Sequence, residues 1–146
     1  MILHTAGPSD LDVPTLYGLL KLRTDVFVVE QACPYPELDG RDLDEGTEHR
    51  WFEDDEGPTA YVRLLAEPAG ETRLGRVVTR PDARGAGLAK TLVEGILADH
   101  DGPVLADAQS HLVAWYEALG FQVTGPEYLE DDIPHVPMRR SERSGS

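Results

Sequence analysis

With one cysteine, Cys33, in 146 residues, this chain cannot close an internal disulfide, which agrees with a reducing compartment. The expected role of Cys33 is packing beside Pro34. Also missing is any apolar run near the roughly 20 residues of a membrane span, so no membrane partner is expected. The N-terminus, Met-Ile-Leu-His-Thr, has neither the basic patch nor the long apolar core of a secretory signal, and a cytoplasmic location follows as the default. Positive charge is scarce: 13 Lys and Arg stand against 27 Asp and Glu, for a formal charge of −14. Such a surface opposes binding that neutralises nucleic-acid phosphates, so no nucleic-acid partner is expected. It allows attraction of cationic substrates such as amines, and equally serves solubility alone. No internal repeat or interdomain linker is visible. A chain of this length makes one domain that buries roughly 70% of its unfolded surface. That domain is expected over residues 1–140, with 141–146 as a frayed tail.

What the chain does have is the run Arg84-Gly85-Ala86-Gly87-Leu88-Ala89, between a strand-like apolar stretch and the helical repeat Leu88, Leu92, Ile96. Small residues at a helix start leave backbone N–H groups uncovered where the helix dipole adds partial positive charge. The result is an anion cradle suited to phosphate or pyrophosphate. A Walker loop requires glycines where Arg84 and Ala89 stand, although Lys90-Thr91 matches its ending. A dinucleotide fingerprint accepts Gly85 and Gly87 but requires glycine at Lys90. The pattern Gln/Arg-x-x-Gly-x-Gly/Ala is met at each specified position by Arg84, Gly87 and Ala89.

The flanks read as a mixed α/β domain. Apolar spacing predicts one helix, or two short ones, over residues 11–31, with Asp12, Pro14 and Thr15 as start signals. Residues 33–46, rich in Pro, Asp and Gly, form a loop. Its aspartates do not make a calcium site, since Gly46 falls where an EF-hand needs a ligand and Thr47 where it needs glycine. No metal is expected. Alternation predicts a hairpin from residues 49–53 and 59–65, and a strand over 72–80. A helix over 86–100, a strand over 103–108 and a helix over 110–119 stopped by Gly120 follow. Two strands around Asp131-Asp132 complete the chain.

The glycine loop resembles the acetyl-CoA pyrophosphate loop of GNAT N-acetyltransferases. The segment Trp115-Tyr116-Glu117-Ala118-Leu119-Gly120-Phe121 is similar to the aromatic-Tyr-x-x-Leu-Gly-Phe stretch downstream of that loop in the same enzymes. Residues 22–35, 38–43 and 128–135 look like the ElaA-like subgroup, so the similarity covers nearly the whole chain. The resemblance implies a GNAT fold: a mixed, mostly antiparallel α+β sheet with a splayed central strand pair and flanking helices. It implies that Val77, Val78 and Thr79 pair with the pantetheine arm of acetyl-CoA. Arg84, Gly85, Ala86, Gly87, Leu88, Ala89 and Lys90 would hold the pyrophosphate. Gln109 matches a polar position that contacts the cosubstrate, and Tyr116 matches the general acid. Arg73, Arg76, Arg80, Arg84 and Lys90 are expected to gather positive charge around the loop.

The implied chemistry is transfer of an acetyl group from acetyl-CoA to a primary amine by direct attack. A thiol near pKa 8.5 and a tyrosine near 10 differ by about 1.5 units, or roughly 2 kcal/mol, which favours a strengthening hydrogen bond over full early proton transfer. An alkylammonium near pKa 10.4 must first lose a proton. Candidate bases are Glu30, His49, Glu130 and His135, with Glu30 and His49 preferred. The acceptor is a small-molecule or peptide amine of unidentified structure. A CoA-binding regulatory module with little transferase activity is the alternative, and a homodimer through the last strands or the hairpin is left open.

Overall fold

Alternating apolar and polar residues on either side of Asp54-Asp55-Glu56 build the hairpin of β2 (Glu48–Asp54) and β3 (Gly57–Ala66). This hairpin is the middle of one half of an eight-stranded sheet. The computed structural model describes residues 1–141; the tail expected from 141 onward lies, past Ser141, outside the described residues. The other strands are β1 (Ile2–Ala6), β4 (Thr72–Thr79), β5 (Val104–Gln109), β6 (Gln122–Val123), β7 (Tyr128–Glu130) and β8 (Ile133–Arg140). Their order is β1-β2-β3-β4-β5-β8-β6, with β7 on β8. Every pairing is antiparallel except that of β4 with β5.

The parallel β4–β5 ladder lasts three residue pairs, from Thr72↔Val104 to Leu74↔Ala106. Beyond it β4 keeps only β3 and β5 keeps only β8. The two central strands therefore splay, and the sheet opens between them. Their crossover is α2 (Leu88–Asp99), whose buried Leu92, Val93, Ile96 and Leu97 pack on Val62, Leu64, Leu74 and Val104. α3 (Val113–Glu117) lies on the same face, and the turn that follows it closes at Gly120, whose φ of +96° needs the freedom of glycine.

The opposite face is covered by α1 (Val13–Thr24), which buries Leu19 and Leu22 against Trp51, Tyr61 and Val78. Asp12 caps it, its carboxylate accepting from Thr15 N at 2.8 Å. Past Thr24 the backbone continues as a π-helical turn, Asp25–Glu30, in which Gln31 N donates to Val26 O and Cys33 N to Val28 O. Such wider turns are frequent at functional sites. Here the turn brings Glu30 and Gln31 to the opening between β4 and β5.

Two elements differ from expectation. β1 pairs with β2 along the sheet edge, yet Ile2 and Leu3 are exposed, so its sequence carries no alternation to read. The C-terminal part has three strands among the described residues, because Gln122–Val123 pairs with β8 in addition to the β7–β8 hairpin. That hairpin turns through Asp131 (φ +51°) and Asp132 (φ +63°), the pair of left-handed residues that a two-residue turn between twisted strands requires. No helix among the described residues is long and apolar enough to cross a membrane.

Candidate active site

A cleft of about 610 Å³ follows the gap between β4 and β5. One wall is the β5-facing edge of β4, where residues 75–79 have no strand partner on that side. On its other side β4 carries a bulge: Tyr61 pairs with Val78 and Arg63 with Gly75, so β4 holds one residue more than β3. Arg76 takes up that extra length at a φ of +54°. Its Nε lies 2.9 Å from Glu37 Oε2 and its Nη2 3.4 Å from Asp39 Oδ2, and these ion pairs fix the bulge. Val77, Val78 and Thr79 line the cleft directly beyond it.

At the end of β4, Gly87 enters α2 at a φ of +72°, and Gly85 sits at +92°. No side chain caps this helix, and the N–H groups of its first turn have no intrahelical acceptor. Added Cβ atoms at Gly85 and Gly87 would meet no atom within 4 Å, so these glycines serve backbone shape and leave the N–H groups open. Ala89 and Arg84 line the cleft. Gly85, Ala86, Gly87 and Lys90 are exposed on the loop beside it, and Leu88 packs inward on the α2 core.

Gln109, at the end of β5, reaches Gln31 Oε1 at 3.4 Å across the mouth. Tyr116 lies between Trp115 and Phe121, with edge-on ring contacts at centroid distances of 4.9 and 5.5 Å. The residue is 7% exposed and borders the cleft, and its hydroxyl has no hydrogen-bond partner among the described residues. Burial pushes that hydroxyl up to about 12. A hydroxyl this weakly acidic keeps its proton and is suited to donating a hydrogen bond.

The two preferred bases separate. Glu30 borders the cleft, but its Oε2 sits 2.7 Å from Arg84 Nη2, while Arg84 Nε also donates to Thr79 O at 3.2 Å. His49 is not in the cleft at all. It is fully buried, with Nδ1 2.6 Å from the Tyr61 hydroxyl and Nε2 3.0 Å from the carbonyl oxygen of Asp42. A carbonyl only accepts, so Nε2 carries the proton and Nδ1 accepts from Tyr61. Burial lowers its basicity further. His49 is thus a support for the loop, removed from any acceptor by the strand pairing that buries it.

The other two candidates, Glu130 and His135, sit diagonally across the β7–β8 hairpin, with Tyr128 opposite His135 and Ile133 opposite Glu130, and both line the cleft. His135 Nδ1 lies 2.7 Å from the carbonyl oxygen of Ile133, and Nε2 lies 3.9 Å from Glu130 Oε2. Asp107 also faces this side, ion-paired with Arg73 at 2.5 Å and in contact with the Tyr128 hydroxyl. Its direction is written in the alternation along β5, where Ala106 and Ala108 point into the core and Asp107 away from it.

The loop of residues 33–46 forms the remaining wall and is held by buried ion pairs. Arg23, without solvent exposure, donates from Nε to Glu37 Oε2 and from Nη1 to Asp42 Oδ1, each at 2.6 Å. Arg63 binds Asp39 through both terminal nitrogens, at 2.9 and 2.8 Å, and Asp42 at 3.2 Å. Tyr35 donates to Glu37. Burial would raise the Asp39 and Asp42 carboxyls, but the arginines outweigh it and hold both below the usual carboxylate range.

These pairs correct the expectation of a cation cluster around the glycine loop. Arg73 is committed to Glu67 and Asp107, Arg76 to Glu37 and Asp39, and Arg80 to Asp54 and Asp82. Arg84 holds Glu30. These arginines keep a fifth or more of their side-chain surface exposed, and the abundant carboxylates of neighbouring segments supply their partners. The uncapped N–H groups at the start of α2 therefore stand beside Arg84, which lines the cleft from the loop.

Residues 22–142 match the family described as Acetyltransferase (GNAT) domain. A UPF0039 protein of Mycobacterium tuberculosis is 53% identical over 143 residues, covering 94% of this chain and 92% of its own. Protein ElaA of Escherichia coli is 39% identical over 141 residues, covering 90% and 91%. The crystal structure of Escherichia coli ElaA superposes with a TM-score of 0.90 at 36% identity, over 97% of this chain and 100% of that one. An acyl-CoA N-acyltransferase from Pseudomonas aeruginosa gives a TM-score of 0.91 at 44% identity, over 97% and 100%.

Proposed function

The chain belongs to the GNAT acetyltransferase family, and from that premise we propose that it moves the acetyl group of acetyl-CoA to a primary amine by direct attack, without metal or covalent enzyme intermediate. The observation that carries this reading is one juxtaposition: the free edge of β4 leads straight into the uncapped, glycine-turned start of α2. An unpaired strand edge offers alternating donors and acceptors to the amide-bearing pantetheine arm, as strand addition does elsewhere. The first turn of α2 offers N–H groups and a positive dipole end to the pyrophosphate. Acetyl-CoA supplies the activated thioester.

The chain's own groups then have distinct tasks. Val77, Val78 and Thr79 hold the arm, and an N–H of this free edge donates to the oxygen on which charge develops. Arg84, Gly85, Ala86, Gly87, Leu88, Ala89 and Lys90 cradle the phosphates, with Gln109 at the mouth. Tyr116 donates a hydrogen bond to the departing sulfur. The acceptor is a cationic small-molecule or peptide amine: Glu130 and Asp131 border the cleft with no arginine or lysine partner among the described residues.

The test is incubation with acetyl-CoA and a panel of primary amines while free thiol is followed, beside calorimetric titration with CoA. Amine-dependent thiol release supports a transferase; CoA binding with no release from any amine supports the binding module. Tyr116→Phe removes a hydroxyl that makes no protein hydrogen bond, so stability should stay within about 0.5 kcal/mol. Turnover should fall roughly 10- to 150-fold, the value of a hydrogen bond to a charged group. An unchanged rate would remove Tyr116 from the mechanism.

A further inference from the structure

Several groups at or near the cleft can in principle take a proton from an ammonium, Glu130, Asp131 and His111 among them, and their surroundings differ. Glu30 is engaged by Arg84, and His49 is buried with both nitrogens occupied. Asp107 is engaged by Arg73 and Tyr128. His135 is different. Its Nδ1 faces the Ile133 carbonyl at 2.7 Å, and because a carbonyl cannot donate, the proton of the neutral ring sits on Nδ1. The lone pair is therefore on Nε2, which has no hydrogen-bond partner among the described residues, on a residue that lines the cleft. Tyr128 stacks on the ring at 5.9 Å between centroids, and Gln109 is the strand partner of His135 on β5. The Ile133 carbonyl and the Tyr128 ring thus orient the imidazole.

We infer that His135 Nε2 takes the proton from the acceptor ammonium, with the Ile133 carbonyl as its positioning group and Glu130 as the carboxylate that receives the imidazolium. The inference rests on the acetyltransferase reading. In balance, R–NH3⁺ gives one proton to Nε2 and becomes R–NH2. Its nitrogen lone pair forms the bond to the thioester carbon, the C–S bond breaks, and the pair leaves with sulfur. The second nitrogen proton passes to that sulfur, leaving amide and CoA thiol, and His135 returns its proton to water. The charged and titratable groups around the ring are Glu130 and Tyr128 on β7, Asp131 in the turn, and Asp107 with its Arg73 partner from the neighbouring strands. Glu130, at 3.9 Å, is placed to close on Nε2 once the ring is charged.

Two measurements test this, and the first needs no acceptor. Nitrogen-15 NMR of the imidazoles should show His135 as the Nδ1–H tautomer when neutral, assigned by its loss in His135→Gln; an Nε2–H tautomer overturns the inference whatever the enzyme acetylates. The second uses phenethylamine, spermidine and a short unblocked peptide, with p-anisidine as an arylamine that arrives unprotonated. Against any of the three alkylamine probes that reacts, His135→Gln should lower kcat/KM at pH 7 by about 10²–10⁴-fold. The rising limb of its pH profile should move toward the pKa of the amine. Imidazole should restore His135→Ala in part, p-anisidine should be spared, and CoA affinity should not change. A parental pH profile in His135→Gln overturns the inference. Loss of CoA binding in the parent protein would instead overturn the acetyltransferase reading.

Discussion

Glu30→Gln should tighten CoA binding, and the size of the effect can be worked from one contact. Arg84 Nη2 lies 2.7 Å from Glu30 Oε2, with the two side chains 45% and 40% exposed. A pair this open is worth about 0.2–1 kcal/mol. If the guanidinium must leave Glu30 to reach a pyrophosphate oxygen, that amount is deducted from binding. Removing the carboxylate charge should therefore tighten CoA about 1.4- to 5-fold, since about 1.4 kcal/mol is tenfold. Arg84→Met removes a charge-assisted hydrogen bond worth about 1.5–3 kcal/mol, and its exposure puts the expected loss near the lower end, about tenfold. The two effects share one side chain and should not add. Calorimetric titration with CoA near 50 mM salt should show the Glu30→Gln gain in the parent protein and almost none in Arg84→Met. The gain should also shrink as salt rises. An equal gain in both backgrounds would mean that Glu30 acts only through the general negative field. No gain in the parent would mean that Arg84 does not change partners on binding, and the role given to it would be wrong.

The buried ion pairs carry two further predictions. Arg23→Met leaves the Glu37 and Asp42 carboxylates short of a partner, at an expected cost of about 3–5 kcal/mol, read as a drop in Tm of roughly 10 °C. Adding Asp42→Asn to Arg23→Met should recover part of that loss; full additivity would show that the two residues do not act as a pair. Stability should also fall in two stages on acidification, measured by denaturant titration. His49 has a lowered basicity in the fold, so the unfolded chain takes its proton first and stability declines as pH drops below about 6.5. Asp39 and Asp42 are depressed below the unfolded value of about 3.9, so their contribution is intact above pH 4 and is lost as pH falls through their folded values. A flat profile between pH 7 and 5 that His49→Gln does not alter would count against the first stage.

The legible parts of this protein are those whose signal is local. Alternation marks the β2–β3 hairpin because one face of each strand meets the core, and Leu92, Ile96 and their neighbours mark α2 for the same reason at a different period. The edge strand β1 was not legible, since Ile2 and Leu3 are exposed and its existence depends on the pairing offered by β2. Neither was the bulge at Arg76, where the extra residue is visible only against the register of β3. Arg73, Arg76 and Arg80 read as free cations along the chain, yet each meets carboxylates from distant segments. Neither His49 nor His135 reveals its surroundings in the sequence; strand pairing buries one and leaves the other at the cleft.

Family, the β2–β3 hairpin, β4, β5 and the glycine-turned start of α2 were thus determined by the sequence itself, because spacing along the chain is enough to specify a helix start, a turn or a buried face. Which charged groups are spent on structure, and which remain for chemistry, was decided only in the tertiary structure. A carboxylate or imidazole changes its role with the partner opposite it, and those partners come from elements far apart in sequence: Arg84 opposite Glu30, Tyr61 opposite His49, and the Ile133 carbonyl that turns the lone pair of His135 away from itself.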